Sequence, residues 1–310
     1  MESNGLTPIG PRDEARGGRS LAPIDRNDRL EKTSTSPGAV LNDASNQARQ
    51  GARAASLDAT GFDASDWAWE FLRRNPDYIG EWRSAVPRHL PCITLNDGTQ
   101  VLRLPRRFPR AEKWGLSAFA DPRLDASRVP VFWHAHALKR IVRLDARKPR
   151  SDADAARFSL AVFKVERRAV ISSDGIPLVL MKGRGSYVAV EIHGLSILTA
   201  SFAPVFELHD LADLAAQTEL LKRLQRFTEA DMRTVPRPPG SGDERLHHAL
   251  IALDESLNGK TYRQIAITIF GEKKVAEEWL GPSQFLKDRT RRLVAKGTEL
   301  MKGGYRDLLY

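Results

Sequence analysis

The chain has 310 residues, with 48 Lys+Arg against 39 Asp+Glu, a formal net charge of +9 and a pI near 9.8. Hydrophobic residues are 41% and charged residues 28%, a balance that can bury cores in two or three compact units. Cys92 is the single cysteine, which excludes an intrachain disulfide framework and a multi-cysteine zinc site. No apolar run approaches the roughly 18 residues of a membrane span, and Met1–Gly10 lacks the order of a signal peptide, so a cytoplasmic setting is expected. The surplus of positive charge favours a polyanionic partner, although it is thin for a chain of this length.

Residues 1–62 read as a disordered tail. Glu31 to Asn46 is rich in Ser, Thr, Asn and Gly and holds no period of two or 3.6, so it buries too little surface to offset ordering. Next, DWAWEFLRRNPDY spaces Trp67 from Phe71 and Trp69 from Leu72 as a short amphipathic helix would, with Asp66 as its cap and Pro76 as its end. Its tryptophans suit a core. Cys92–Leu95 and Val101–Leu104 flank Asn96-Asp97-Gly98, a tight-turn signal for a hairpin. Residues 103–150 then hold thirteen basic residues against four acidic ones, and five prolines break any long helix. Such a basic, loop-rich segment suits either phosphates or a solvated surface.

From Phe158 to Leu198 short strands are expected. Leu160, Val162 and Val165 begin them, and Ile176–Leu180 pairs with Tyr187–Ile192 around Gly183–Gly185. That turn is no nucleotide-binding loop, because it joins two strands and lacks the Gly-Lys-Ser/Thr ending. Leu208, Leu211, Leu214, Leu221 and Leu224 stripe an amphipathic helix, and Thr234–Gly242 is a stiff, Pro-rich linker. The whole reads as α+β: tail 1–62, a small mixed domain 63–150, a β-hairpin-plus-helix region 151–235, and an all-helical helix-turn-helix domain 243–310.

The last 68 residues are the most informative. Leu246, Leu250, Leu253 and Leu257 mark a helix that Asn258-Gly259 ends with a left-handed cap. Thr261 and Gln264 form a capping-box pair ahead of Ile265, Ala266 and Ile269, and Gly271 stops that helix. A short helix through Val275 and Trp279 precedes Gly281-Pro282, and Ser283 can cap a final helix from Gln284 to about Met301. On a wheel of about 100° per residue, Leu286, Thr290, Leu293, Gly297 and Leu300 share one side, with Phe285 on its flank. Gln284, Lys287, Asp288, Arg291 and Arg292 share the other, while Arg289 abuts the apolar stripe and suits a structural ion pair. A helix with Gln, Lys and Arg in front suits a major groove; a solvated face is the alternative reading of the same residues. The candidate DNA contacts are Arg263, Gln264, Ser283, Gln284, Lys287, Arg291 and Arg292. The connector from Gly271 to Pro282 is longer than the three or four residues of a usual helix-turn-helix.

The segment GKTYRQIAITIFG…VAEEWLGPSQFLKDRTRRLVAKGTELMKGGYRDLL resembles the family called domain of unknown function 2285. DWAWEFLRRNPDY, EKWGLSAFADPRL and VFW are similar to the transcriptional regulator-like N-terminal domain found with it. Together they cover most of residues 63–310. The resemblance implies a regulator of the kind carried by integrative and conjugative elements of proteobacteria, whose members include excision activators and short antiactivators. It implies promoter DNA as partner, with another transcription regulator or an antiactivator protein as the alternative, and no cofactor. Tyr262, Arg263, Ile265, Trp279, Ser283, Leu286, Arg289, Arg291, Arg292 and Tyr305 match its motif, mostly as fold markers. No catalytic set emerges. His134 and His136 have no carboxylate or cysteine cluster nearby, His247 and His248 point to different helix faces, and Tyr305 lacks the His-x-x-Arg partner of a recombinase.

Overall fold

The computed structural model of the chain describes residues 57–88, 90–151, 159–183, 185–195, 201–208, 211–229, 241–279 and 284–309. The first helix, α1 (Ala64–Leu72), is buried on every side from Ser65 to Leu72, where an amphipathic helix is expected. Its cap is Asp63 rather than Asp66. The Asp63 carboxylate accepts from the backbone N–H groups of Ser65 and Asp66, and the Asp66 carboxylate accepts from the N–H of Asp63. Pro76 does not end this helix but starts α2 (Pro76–Arg83), where its missing N–H costs nothing. Of the expected tail, residues 57–62 are described: Phe62 is buried edge-on against Trp67, with ring centroids 5.4 Å apart. Residues 1–56 lie outside the described residues.

Burying a helix all round forces its charges to find partners. Lys182 reaches Asp63 at 3.5 Å and is in close contact with Asp66. Burial and the neighbouring Asp63 raise the Asp66 pKa to about 6, against the pull of Lys182 and Arg168. Glu70 accepts from Arg73 Nε at 2.7 Å, Arg74 Nη1 at 2.8 Å and the Ala126 N–H at 2.9 Å. Arg74 also forks onto Asp254, with Nε–Oδ1 at 2.5 Å and Nη2–Oδ2 at 2.9 Å.

The sheet is the second layer. Its strands are β1 (Cys92–Thr94), β2 (Gln100–Arg103), β3 (Ile141–Arg147), β4 (Glu166–Ile171), β5 (Pro177–Gly183), β6 (Ser186–Gly194) and β7 (Ala203–Glu207), in spatial order β1-β2-β4-β5-β6-β3-β7. The two expected hairpins form: Cys92 faces Leu102 across β1 and β2, and Met181 faces Val188 across β5 and β6. β2 with β4 and β3 with β6 pair in parallel. The sheet thus crosses residue 150, with β1–β3 before it and β4–β7 after it.

Both sheet faces are covered. Leu102, Val170, Leu178, Leu180 and Ala189 pack toward α1. Val142, Ala169, Val179 and Val190 pack with Phe202 and Phe227, the latter from α4 (Leu214–Glu229), which follows the short α3 (Pro109–Glu112). Double coverage is why β5 and β6 read as nearly continuous apolar runs.

Several expectations change. Leu160–Val162 is a 3-10 turn rather than a strand start, Leu208 and Leu211 are exposed ahead of α4, and β3 runs through the segment read as basic loops. There Val142, Leu144 and Ala146 alternate inward between more exposed Arg143, Asp145 and Arg147. Much of that segment's charge is paired locally, as in Arg107–Glu112, Arg123–Asp121 and Arg147–Asp145. The expected linker at 234–242 is described only at Ser241 and Gly242, which open α5 (Ser241–Leu257). Among the described residues no helix is long and apolar enough to cross a membrane.

Arg74→Met should cost about 3–5 kcal/mol in urea unfolding, because it removes a buried guanidinium that pairs with both Glu70 and Asp254. Arg74→Met combined with Asp254→Leu should recover a large part of that loss. A double variant no more stable than Arg74→Met alone would show that the cluster does not set the stability.

Candidate nucleic-acid interface

The C-terminal helices follow from local signals. At the end of α5, Gly259 adopts a φ of +77°, and the N–H groups of Gly259 and Lys260 reach the Ser256 and Glu255 carbonyls at 3.0 and 3.1 Å. The capping box opens α6 (Tyr262–Phe270): Gln264 N–H donates to Thr261 Oγ1, and Thr261 N–H donates to Gln264 Oε1 at 2.9 Å. Gly271, with φ +87°, turns the chain in one residue into α7 (Glu272–Glu278). The long connector of the sequence is therefore mostly helix, and residues 280–283 lie outside the described residues. α8 (Phe285–Met301) follows.

α8 is fixed from behind. Leu286, Thr290, Gly297, Leu300 and Met301 are its buried side. A Cβ added at Gly297 would stand 2.5 Å from the Ala249 carbonyl oxygen and 2.9 Å from Leu253 Cβ, so α5 and α8 touch backbone to backbone there. Beyond α8, a 3-10 segment (Gly304–Leu309) returns to the principal core. Tyr305 is buried there, and its hydroxyl donates to the Trp114 carbonyl at 2.9 Å, a packing role. Asn75 donates to the Met301 carbonyl at 3.0 Å and Arg306 to the Lys113 carbonyl at 2.8 Å. The front of α8 is thereby referenced to α1 and α2.

The head formed by α6, α7 and the start of α8 has its own small core of Ala266, Val275 and Leu286, with Ile267, Phe270 and Trp279 packed on it. Ile265 is buried as expected. Trp279 is half-buried rather than a full core residue, and Lys287 Nζ lies 5.9 Å from its ring. Arg289 has a ring in place of the expected ion pair: its guanidinium lies 4.8 Å from the Phe270 centroid. Burial lowers the pKa of His248; Glu244 opposes this and the Arg289 cation adds to it.

The candidate contacts separate into two groups. Gln284, Arg291 and Arg292 are exposed on the first two turns of α8, with Lys287 half-buried at their edge. The Arg291 side chain is 66% exposed, and Nη1 makes a 3.2 Å surface pair with Asp288. Arg263 and Gln264 are exposed on α6, where the Gln264 amide oxygen is occupied by the cap. Ser283 lies outside the described residues. Farther along α8, Lys296 pairs with Glu299 at 3.0 Å, so the positive charge of the helix is concentrated near its start. α7 offers Glu272, Glu277 and Glu278 against Lys273 and Lys274, an unfavourable balance for a phosphate backbone.

Two rings of the head are exposed, one of them Phe285, which the wheel placed on the flank of the apolar side. Phe285 is 58% exposed at the start of α8, and Tyr262 is 46% exposed at the start of α6. Phe285 adjoins Gln284 at the exposed start of α8.

Two family models match. Residues 208–310 match one described as T6SS, transcription factor, DNA-binding domain, and residues 49–117 match a proteobacterial transcriptional regulator-like domain. No curated protein matches the chain. The two matches support a DNA-binding transcription regulator, with helices α4 to α8 and the closing 3-10 segment inside the DNA-binding match.

Gly297→Ala should destabilise the chain by about 1–3 kcal/mol in urea, because backbone, not a flexible side chain, blocks the new methyl group. Trp279→Ala should cost roughly 1–2 kcal/mol, less than the roughly 3–5 of a fully buried tryptophan. An unchanged midpoint for Gly297→Ala would contradict the close crossing of α5 and α8.

Proposed function

We propose that this regulator reads double-stranded promoter DNA in the major groove with the first two turns of α8, the recognition helix of a helix-turn-helix head. The observation that carries this is the exposed Gln284–Arg291–Arg292 face, with Lys287 at its edge, on a helix whose back is locked by the Gly297 crossing. Arginine and glutamine there can bridge guanine or adenine edges, and lysine can hold a phosphate. Arg263 on α6 supplies a further backbone contact. The resemblance to excision activators supports a role in activating genes of an integrative and conjugative element. The type VI secretion label of the matched model supports a second gene set, and mapping the promoters bound in cells separates the two.

A second reading rests on Phe285 and Tyr262. Two large exposed rings on the same head suit a protein partner, such as another transcription factor or an antiactivator. Salt separates the readings. Binding to DNA loses affinity linearly in log–log form as counterions compete, while an apolar protein contact changes little.

Anisotropy titrations on the cognate promoter duplex test the groove-reading face. Arg291→Ala should weaken specific binding by about 1–3 kcal/mol and relax preference at one base pair. Lys287→Ala should weaken all duplexes alike and lower the salt slope by about one. If both variants keep the parent circular dichroism and bind like the parent at every salt concentration, α8 does not read DNA and the protein-partner reading takes its place.

A further inference from the structure

A cavity of about 680 Å³ opens between β6 and α4, away from the helical head. Its size falls among small-molecule pockets, which run from about 300 to 1,000 Å³. Three arginines line it: Arg140, just before β3, and Arg223 and Arg226, three apart on one face of α4. Glu219 is the single carboxylate among the described lining residues, so the wall carries a positive excess. Leu220 and Tyr187, both half-buried, supply an apolar surface beside them.

The arginines are held loosely. Arg226 pairs with Glu219 at 3.0 Å and Arg140 with Asp213 at 3.5 Å, in each case between side chains about half exposed to solvent. Such pairs contribute little and yield readily to a better anion. Arg223 has no ion pair among the described residues, and its guanidinium reaches the Tyr187 carbonyl at 3.4 Å. One wall is firmly built, by contrast. The Tyr187 hydroxyl donates to the Leu309 carbonyl at 2.7 Å, which pins the closing 3-10 segment to the rim of the cavity.

We propose that this cavity binds a small organic anion, with its apolar body against Leu220 and Tyr187 and its carboxylate or phosphoryl group on Arg140, Arg223 and Arg226. A concave, partly apolar wall with convergent guanidinium groups fits such a ligand better than a DNA backbone, which offers no apolar body to bury. The site is independent of the groove-reading face, since no residue of α6, α7 or α8 lines it.

The experiment uses the full chain without DNA and follows the fluorescence of 1-anilinonaphthalene-8-sulfonate, an aromatic anion of suitable size. One saturable site per chain is expected, with displacement by octanoate indicating a carboxylate ligand and displacement by phenyl phosphate a phosphoryl one. Arg223→Gln should weaken the probe tenfold or more while circular dichroism and the thermal midpoint stay those of the parent. Leu220→Glu provides the same comparison should Arg223→Gln lose its fold. Probe binding that is absent, or unchanged in the folded variants, overturns the proposal. So does displacement by duplex DNA but by neither small anion, which would assign the arginines to the phosphate backbone.

Discussion

The Glu70–Arg73–Arg74–Asp254 cluster is the constraint on which the rest of the molecule depends. α1 is buried all round, so its charges must be neutralised inside the protein or the helix cannot sit where it does. Burial works against the charge on Arg74, but Asp254 and Glu70 outweigh it and hold the guanidinium protonated. Each carboxylate oxygen of Glu70 has a donor, including the Ala126 N–H, and Arg73 also reaches the Pro122 carbonyl at 3.1 Å. A network satisfied to this degree has few alternative arrangements, which gives it the character of a latch.

That latch makes the regulator-like region and the helical region mechanically one body. Arg74 belongs to the first and Asp254 to α5 of the second, and the Asn75–Met301 and Tyr305–Trp114 bonds repeat the connection at the far end of α8. A base-reading side chain is only as well placed as its support. Under the proposed groove reading, Arg291 is supported through the Gly297 crossing to α5 and then into the tryptophan core. The head of α6 and α7 has a small core of three buried residues of its own, and Ile269 of α6 also packs on the principal core.

Elements with local signals were legible in the sequence. Asp97-Gly98 gives the first hairpin, Thr261 and Gln264 the capping box, and Gly259 and Gly271 the helix stops, because each depends on residues a few positions apart. β3 was not legible, because Arg143 and Arg147 within a basic run obscured the alternation of Val142, Leu144 and Ala146. The burial of α1 was hidden for a related reason: Asp66, Glu70, Arg73 and Arg74 look like a solvated face until Lys182 and Asp254, more than a hundred residues away, are placed against them. At the candidate interface the wheel of α8 placed Arg291 and Arg292 outward correctly. It could not foresee that Arg289 would lie on Phe270 or that Phe285 would remain more than half exposed, since both depend on a neighbouring helix.

The 3-10 segment at 304–309 bears on how the molecule is made. Tyr305 and Leu309 complete the core around Trp114 and Trp133, yet they emerge from the ribosome long after those tryptophans. The aromatic cluster of Trp69, Tyr78 and Trp114 therefore waits through the synthesis of the sheet and of α5–α8 before its cover arrives. Contacts spanning so much of the chain close slowly, and an uncovered aromatic surface is sticky in the interval. Vectorial synthesis thus leaves this aromatic surface open until Tyr305 and Leu309 have been added, and the packing of α8 is completed at the same moment as the core.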